Sequence, residues 1–160
     1  FPDGIKVQFT GLNPERFMWG EQEAFWVPIP ERVVRLQRRD SFRIQLPIAK
    51  PIQAKLINEA IEILGAWAIH DLSVAGFSVI MLGEPTLKVG DTLPQANLNI
   101  ASKSPLSCPV VVRHITQIER TKLGKFQVGF SFIELPHAMD IAIQKTILNI
   151  EYERHKLLGK

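Results

Sequence analysis

Residues 66–81 read Ala-Trp-Ala-Ile-His-Asp-Leu-Ser-Val-Ala-Gly-Phe-Ser-Val-Ile-Met. Two β-prone, largely apolar runs flank the segment Asp71-Leu-Ser-Val-Ala-Gly76, so a strand is expected on each side of a turn. Asp and Ser hydrogen-bond readily to nearby backbone, and Gly permits tight backbone geometry, which suits such a turn. This strand–turn–strand segment predicts an antiparallel β protein.

Short segments of the same kind, separated by Gly, Pro and Asn, recur on both sides of this unit. Six or seven of them favour a small closed sheet, so the predicted fold is mainly β, a six- or seven-stranded antiparallel β-barrel. The predicted strands lie near Phe42–Leu46, Gln53–Ile57, Ala66–Asp71, Gly76–Met81, Ala96–Ile100, Leu106–Glu119 and Lys125–Ile133.

The sequence changes character at both ends of this β-rich region. After Pro136, apolar residues at Ile143, Ile147, Ile150 and Leu157 predict an amphipathic C-terminal α-helix that packs on the barrel or on a neighbouring chain. At the other end, alternating Ile5, Val7 and Phe9 predict the tail of an N-terminal β domain. The expected organisation is a domain remnant over 1–30, a linker over 31–43 and the barrel with its helix over 44–160.

Positive charge is concentrated in the predicted linker. The chain has a formal net charge of +3, and residues 31–43 contain five arginines against Glu31 and Asp40, so this segment carries as much net charge as the whole chain. Prolines 28 and 30 precede it and favour extended backbone. Arg32 and Arg35 have a simple reading as solvated linker charges, whereas Arg38, Arg39 and Arg43 lie next to the first predicted strand.

Residue patterns of enzymes and metal sites are missing from the sequence. His70, His114, His137 and His155 have no zinc-site spacing, and there is no phosphate-binding Gly-x-x-x-x-Gly-Lys-Ser/Thr loop. The single cysteine, Cys108, lies in an apolar run and is read as a core residue. We therefore expect no enzymatic activity, no catalytic residues, no metal and no cofactor.

Apolar runs in the sequence are short. All fall well below the roughly 20 residues that a membrane-spanning helix needs, and the N-terminus has no basic and apolar signal sequence. The expectation is therefore a cytoplasmic protein without membrane insertion.

Two motifs follow one another in a defined order: Arg39-x-x-x-Arg43 ends the linker, and Asp71-x-Ser73-x-x-Gly76 forms the turn. Either could arise by chance, and the second could be a simple turn, but the two together are much rarer. In this combination the sequence resembles the PilZ family over residues 37–133. Gln127-Val-Gly-Phe-Ser-Phe132 resembles a late strand of that family, and residues 25–43 resemble the domain junction of its YcgR-like flagellar brake members.

The resemblance implies binding of cyclic di-GMP. Arginine forks suit guanine O6 and N7 or a phosphate, and the carboxylate of Asp71 suits guanine N–H groups. Arg38 directly precedes the motif, and in this family the doubled arginine implies two ligand molecules per domain. His70 is adjacent to Asp71 and either lines the site or is an ordinary strand histidine, which is the simpler interpretation. The implied ligand-binding residues are Gln37, Arg38, Arg39, Arg43, Asp71, Ser73 and Gly76.

The resemblance also implies an output. It predicts control of motility by a ligand-induced rearrangement of linker and domains, with flagellar motor switch complex or stator proteins as partners. The expected location is the cytoplasm, with recruitment to the flagellar basal body, and the expected state is a monomer or weak homodimer. Two alternatives stay open: control of exopolysaccharide synthesis, and a nucleic-acid-binding β-barrel. Against binding of nucleic acid polymers, the positive charge is confined to one segment and there is no ladder of surface aromatics.

Overall fold

A computed structural model describes residues 6–11, 13–36, 40–100, 105–119 and 123–158. The chain divides into two compact units, residues 1–40 and residues 41–160. The division falls within the predicted linker. Three of the predicted ligand-binding residues, Gln37, Arg38 and Arg39, lie outside the described residues.

The first unit contains two small antiparallel pairs of strands. The outer pair brings together the beginning and the end of the unit, with Val7 opposite Arg35. The other pair is a hairpin whose turn contains Gly20 at a φ of +63°, a conformation that glycine adopts without steric cost. The strands are β1 Lys6–Gln8, β2 Glu15–Trp19, β3 Gln22–Trp26 and β4 Val34–Leu36.

The second unit is a closed antiparallel barrel, as the sequence predicts. Its strands are β5 Ile44–Gln45, β6 Gln53–Ile57, β7 Ile63–Ser73, β8 Gly76–Leu82, β9 Thr92–Leu98, β10 Leu106–Glu119 and β11 Lys125–Phe132. Six strands form the ring β7-β6-β9-β10-β11-β8, and pairing of β8 with β7 closes it. The short β5 adds to the outside edge of β7, so the fold is a six-stranded barrel with one extra strand.

Alternating side chains build the barrel core. In β6, Ala54 and Leu56 are buried while Gln53 and Lys55 face solvent, as expected for a strand with one buried face. Cys108 is 3% exposed, which confirms its reading as a core residue, and burial raises the pKa of its thiol to about 11. Other buried side chains are Ile44, Ile69, Leu72, Phe77, Val79, Met81, Leu93, Leu98, Val110, Val112, Val128 and Phe130.

The ninth strand differs most from its predicted position. It runs from Thr92 to Leu98, whereas the sequence pattern suggested Ala96–Ile100. The strand includes Pro94, which has no N–H to donate to the ladder. In the structure, β9 and β10 shift register between the Cys108–Ala96 and Val110–Leu93 pairs, and Pro94 lies within this shift. The strand therefore passes through the proline without losing its regular pairing on either side.

The C-terminal helix, α1, runs from His137 to Leu158 and confirms the predicted helix. Its Met139, Ile143 and Ile147 are buried as part of the core cluster. Near its end, the Arg154 guanidinium donates a hydrogen bond to the backbone carbonyl of Gln45 in β5. The described part of the chain contains no helix with both the length and the apolar character needed to span a bilayer.

Candidate functional site

The site begins at the hairpin formed by β7 and β8. Ser73 pairs with Gly76 across the turn, and this register places Asp71 opposite Ser78. The segment that the sequence singled out is therefore the connection between two barrel strands. Its polar residues lie at one end of both strands.

A β-bulge at His70 changes the direction of the β7 side chains. Ile69 pairs with Val79 and Asp71 pairs with Ser78, so His70 is an additional residue on β7. Ile69 and Leu72 both point into the core although they are three positions apart, which a regular strand would not allow. The bulge brings the adjacent side chains of His70 and Asp71 into the same polar cluster.

One carboxylate oxygen of Asp71 is held by side chains from three strands. Its Oδ2 accepts a hydrogen bond from Ser78 Oγ and another from Gln127 Nε2 at 3.0 Å. His70 Nδ1 lies 3.3 Å from the same oxygen, within donating distance when that nitrogen carries the hydrogen. Gln127 Nε2 also lies 3.0 Å from Ser78 Oγ. These contacts fix the orientation of the Asp71 carboxylate, whose side chain is only 12% exposed.

The other oxygen, Asp71 Oδ1, is left as an unused acceptor. It is buried, and nothing in the described ranges donates a hydrogen bond to it. Arg43 Nη1 lies 4.0 Å away, which permits electrostatic attraction but is too long for a hydrogen bond. A buried carboxylate oxygen without a donor costs free energy, so a donor supplied by a ligand or by an arginine would be stabilised here.

Ser73 and Gly76 have packing roles in this structure. Ser73 is 2% exposed, and its hydroxyl donates to the Gly76 carbonyl at 3.1 Å instead of facing solvent. A Cβ added to Gly76 would lie 2.0 Å from the carbonyl oxygen of Phe130. Ser73 thus stabilises the turn itself, and Gly76 lets the turn lie close against β11. The contact of Ser73 differs from the direct ligand contact that the sequence predicted.

A shallow pocket adjoins this cluster on the outer face of β8, β11 and β10. We call it the trough. Its floor is formed by small residues that pair across the sheet, and Arg43 links it to Asp71. The residues that define the trough are Arg43, Gly76, Arg113, His114, Gly129 and Ser131.

The structure brings together the predicted site residues that it describes, Arg43, Asp71, Ser73 and Gly76. It adds two that the sequence reading missed, Ser78 and Gln127. Ser78 had a usable signal, because a turn of two residues between Ser73 and Gly76 places it opposite Asp71. Gln127 begins the segment that resembles a late strand of the family, but its approach to Asp71 depends on the pairing of β11 with β8, which the sequence did not indicate.

Metal-binding chemistry has no candidate in the described part of the chain, where no group of three or more His, Cys, Asp or Glu side chains could hold an ion. The cluster around Asp71 has one acid and one histidine, with amide and hydroxyl groups completing it. Such a set suits hydrogen bonding to a polar ligand.

A family model described as PilZ domain matches residues 37–149. The chain belongs to the PilZ family. Among curated proteins, the flagellar brake protein YcgR of Chromobacterium violaceum is 29% identical over 164 residues, covering 99% of this chain and 65% of that protein. The chain thus spans less than two thirds of the length of this relative, and the resemblance inferred from the two motifs is confirmed.

Solved structures share the fold. The chain of Escherichia coli YcgR in complex with c-di-GMP superimposes with a TM-score of 0.73 at 22% identity, covering 98% of this chain and 65% of that one. The K. pneumonia MrkH complex with c-di-GMP gives a TM-score of 0.73 at 20% identity, covering 94% of this chain and 67% of that one. At these identities, the likeness confirms the barrel with its C-terminal helix.

Proposed function

We propose that this chain is a receptor for cyclic di-GMP that acts by binding and not by catalysis. The observation that carries the proposal is the buried Asp71 Oδ1, an acceptor with no donor in the described ranges, 4.0 Å from Arg43 Nη1. Membership of the PilZ family and the c-di-GMP named in the complexes of two structural neighbours support this choice of ligand.

The chemistry of the cluster fits guanine. A carboxylate can accept hydrogen bonds from the N–H groups on one guanine edge, while an arginine can donate to O6 and N7 on another. Because Ser78 and Gln127 hold Oδ2, the carboxylate does not need to reorganise when a ligand reaches Oδ1. Arg43 is 39% exposed at its side chain, so it can turn from Asp71 to a ligand.

The arginine segment supplies the second half of the proposed site. Gln37, Arg38 and Arg39 precede Arg43 in the sequence, so they reach the ligand from the side of the linker. With Arg38 directly before the motif, we expect two stacked cyclic di-GMP molecules per barrel. Arginine suits this role because its planar group both stacks on bases and donates paired hydrogen bonds to phosphate.

The proposed output is control of swimming. Ligand binding draws the segment 31–43 toward the barrel, changes the arrangement of the two units and alters the affinity for flagellar motor switch or stator proteins. The name flagellar brake protein on the curated relatives supports this output. We propose a cytoplasmic monomer or weak homodimer that is recruited to the flagellar basal body.

Calorimetric titration with cyclic di-GMP tests the receptor proposal. We expect saturable binding to the chain with a stoichiometry of two, and no binding of GTP. Arg43→Ala should weaken binding about 10- to 100-fold, because it removes a charge-assisted hydrogen bond. Lys55→Ala, which removes an exposed cation on β6, is the matched control and should bind normally. Absence of binding to the folded wild-type chain would overturn the proposal, and saturation at one ligand would overturn the stoichiometry alone.

Small-angle X-ray scattering tests the rearrangement separately. The profile of the chain with saturating ligand should differ from the profile without ligand, whereas the Arg43→Ala variant should show little change at the same ligand concentration. If the wild-type profile is unchanged while calorimetry shows binding, the receptor proposal stands and the rearrangement is wrong. Capture of purified motor switch and stator proteins with and without ligand then identifies which partner responds.

A further inference from the structure

Arg113 occupies a second β-bulge, on the opposite side of the trough from Asp71. In the pairing of β10 with β11, Val112 lies opposite Phe130 and His114 lies opposite Gly129, so Arg113 is an additional residue on β10. Bulges of this kind redirect a side chain and are frequent beside functional sites. Here the bulge places two adjacent polar side chains on the outer face of the barrel.

Contacts of these two residues confirm that they share one face. Arg113 Nε donates to Ser131 Oγ at 3.3 Å, and the imidazole of His114 lies against Gly129, where an added Cβ would be 1.9 Å from its Cε1. Val128 and Phe130 belong to the core cluster, so Gly129 and Ser131, which alternate with them, lie on the outer face of β11, where Gly129 is covered. Arg113 and His114 therefore form the far wall of the trough.

Small residues pair across the sheet between the two walls. Asp71 lies opposite Ser78, Ser78 opposite Gly129, and Gly129 opposite His114, which makes one row of pairs across β7, β8, β11 and β10. In the next row, Gly76 lies opposite Ser131. Ser78 and Gly129 are buried, with the His114 imidazole against Gly129, so the open part of the trough lies over the second row, beside Ser131 and next to Arg113.

The charge of the trough favours an anion. Arg43 and Arg113 both line it, and its described lining includes no Asp or Glu. Within residues 40–100, 105–119 and 123–158, Arg113 forms no ion pair, and its bond to Ser131 uses one of five N–H donors. A guanidinium that is anchored through Nε still has donors at its end for a phosphate.

We propose that Arg113 is a further ligand-binding residue, which donates hydrogen bonds to a phosphate of cyclic di-GMP lying across the trough. This inference rests on the proposed function. A base held at Asp71 and Arg43 places the rest of the ligand over the floor residues, and Arg113 lies at the end of that path. The site thus has a cation outside the arginine segment, contributed by the barrel itself.

Titration of Arg113→Ala with cyclic di-GMP tests this inference, with Lys55→Ala as the control for loss of one exposed cation. Arg113→Ala should weaken binding about 10- to 100-fold, and Lys55→Ala should leave it unchanged. Arg113→Lys should recover part of the affinity, because a phosphate can accept a hydrogen bond from an ammonium group as well as from a guanidinium. Thermal unfolding of each variant checks that the barrel is intact.

The outcomes separate the two proposals. If the wild-type chain binds and Arg113→Ala binds equally well, the assignment of Arg113 is wrong and the receptor proposal stands. If Arg113→Lys is as weak as Arg113→Ala, the phosphate contact is overturned. If the folded wild-type chain binds no cyclic di-GMP, and the Arg43→Ala variant binds none either, both proposals fail together.

Discussion

Two β-bulges lie beside the trough, and they place their side chains in opposite environments, one buried and one exposed. On the β7 side, the bulge at His70 delivers Asp71 into a buried cluster, where Ser78 and Gln127 fix one carboxylate oxygen. On the β10 side, the bulge at Arg113 delivers a cation that is exposed and held through one described hydrogen bond. The first wall is rigid and already desolvated, while the second can adapt to the ligand.

The two glycines of the floor repeat this contrast. A Cβ on Gly76 would meet backbone, the carbonyl oxygen of Phe130 at 2.0 Å. A Cβ on Gly129 would meet a side chain, the imidazole of His114 at 1.9 Å. Backbone in a barrel cannot yield without moving a strand, whereas an imidazole can change rotamer. Substitution of Gly76 should therefore reduce stability more than substitution of Gly129.

Gly76→Ala is expected to have the largest effect on stability. The methyl group would force β8 and β11 apart next to the turn, and overpacking of this kind costs about 3 kcal/mol. Urea unfolding should show a lower midpoint for this variant than for wild type. A midpoint within error of wild type would show that β8 and β11 can move apart to accommodate the methyl group at little cost.

Asp71→Asn should have the largest effect on ligand affinity among changes that preserve shape. The amide keeps the size of the carboxylate but loses its charge, and it presents an N–H to groups that donate to Oδ2. Loss of a charge-assisted acceptor corresponds to about 2 kcal/mol, so calorimetry should show binding weakened about 30-fold. Unchanged affinity would show that Oδ1 does not contact the ligand.

Gln127→Leu should weaken binding although Gln127 is not expected to touch the ligand. It removes one of the donors that orient Asp71 and leaves Oδ2 with fewer partners, at a cost of about 1 kcal/mol in the free energy of unfolding. Ligand affinity should fall by several-fold. Gln53→Leu, at an exposed glutamine of β6, is the control and should change neither quantity. Equal effects of the two variants would contradict the positioning role.

Gly129→Ala should have a smaller effect on stability than Gly76→Ala. We expect it to destabilise the barrel by about 1 kcal/mol, because the added methyl group meets the His114 side chain and not backbone. Combining it with His114→Ala should restore much of the loss, whereas no single side-chain truncation is expected to rescue Gly76→Ala. Failure of the double variant to recover stability would show that the β10 side is as rigid as the β7 side.

The local sequence pattern was sufficient to predict the hairpin and its turn. The apolar runs on both sides of Asp71-x-Ser73-x-x-Gly76 predicted two strands, and the structure has β7 and β8 there. With Ser73 paired to Gly76, the position of Ser78 opposite Asp71 follows from counting along the chain. Contacts inside a hairpin are set by residues close in sequence, so a local pattern specifies them.

Contacts between strands that are distant in sequence could not be predicted from local patterns. Gln127 reaches Asp71, and Arg113 reaches Ser131, because β11 pairs with β8 on one side and with β10 on the other. The bulges at His70 and Arg113 also break the alternation on which a strand pattern relies. The start of β9 at Thr92 was missed for a similar reason, because its pairing with β10 includes a register shift.

The sequence alone determined the mainly β fold, the C-terminal helix, the family and the motif residues, since all of these depend on local periodicity or on short spacings. Tertiary structure decided which oxygen of Asp71 is held and which is left unused, why Gly76 must lack a side chain, and that Arg113 faces the same trough. These features depend on register and bulges across a closed barrel. Closure joins strands that are far apart in the chain, and no local pattern records that pairing.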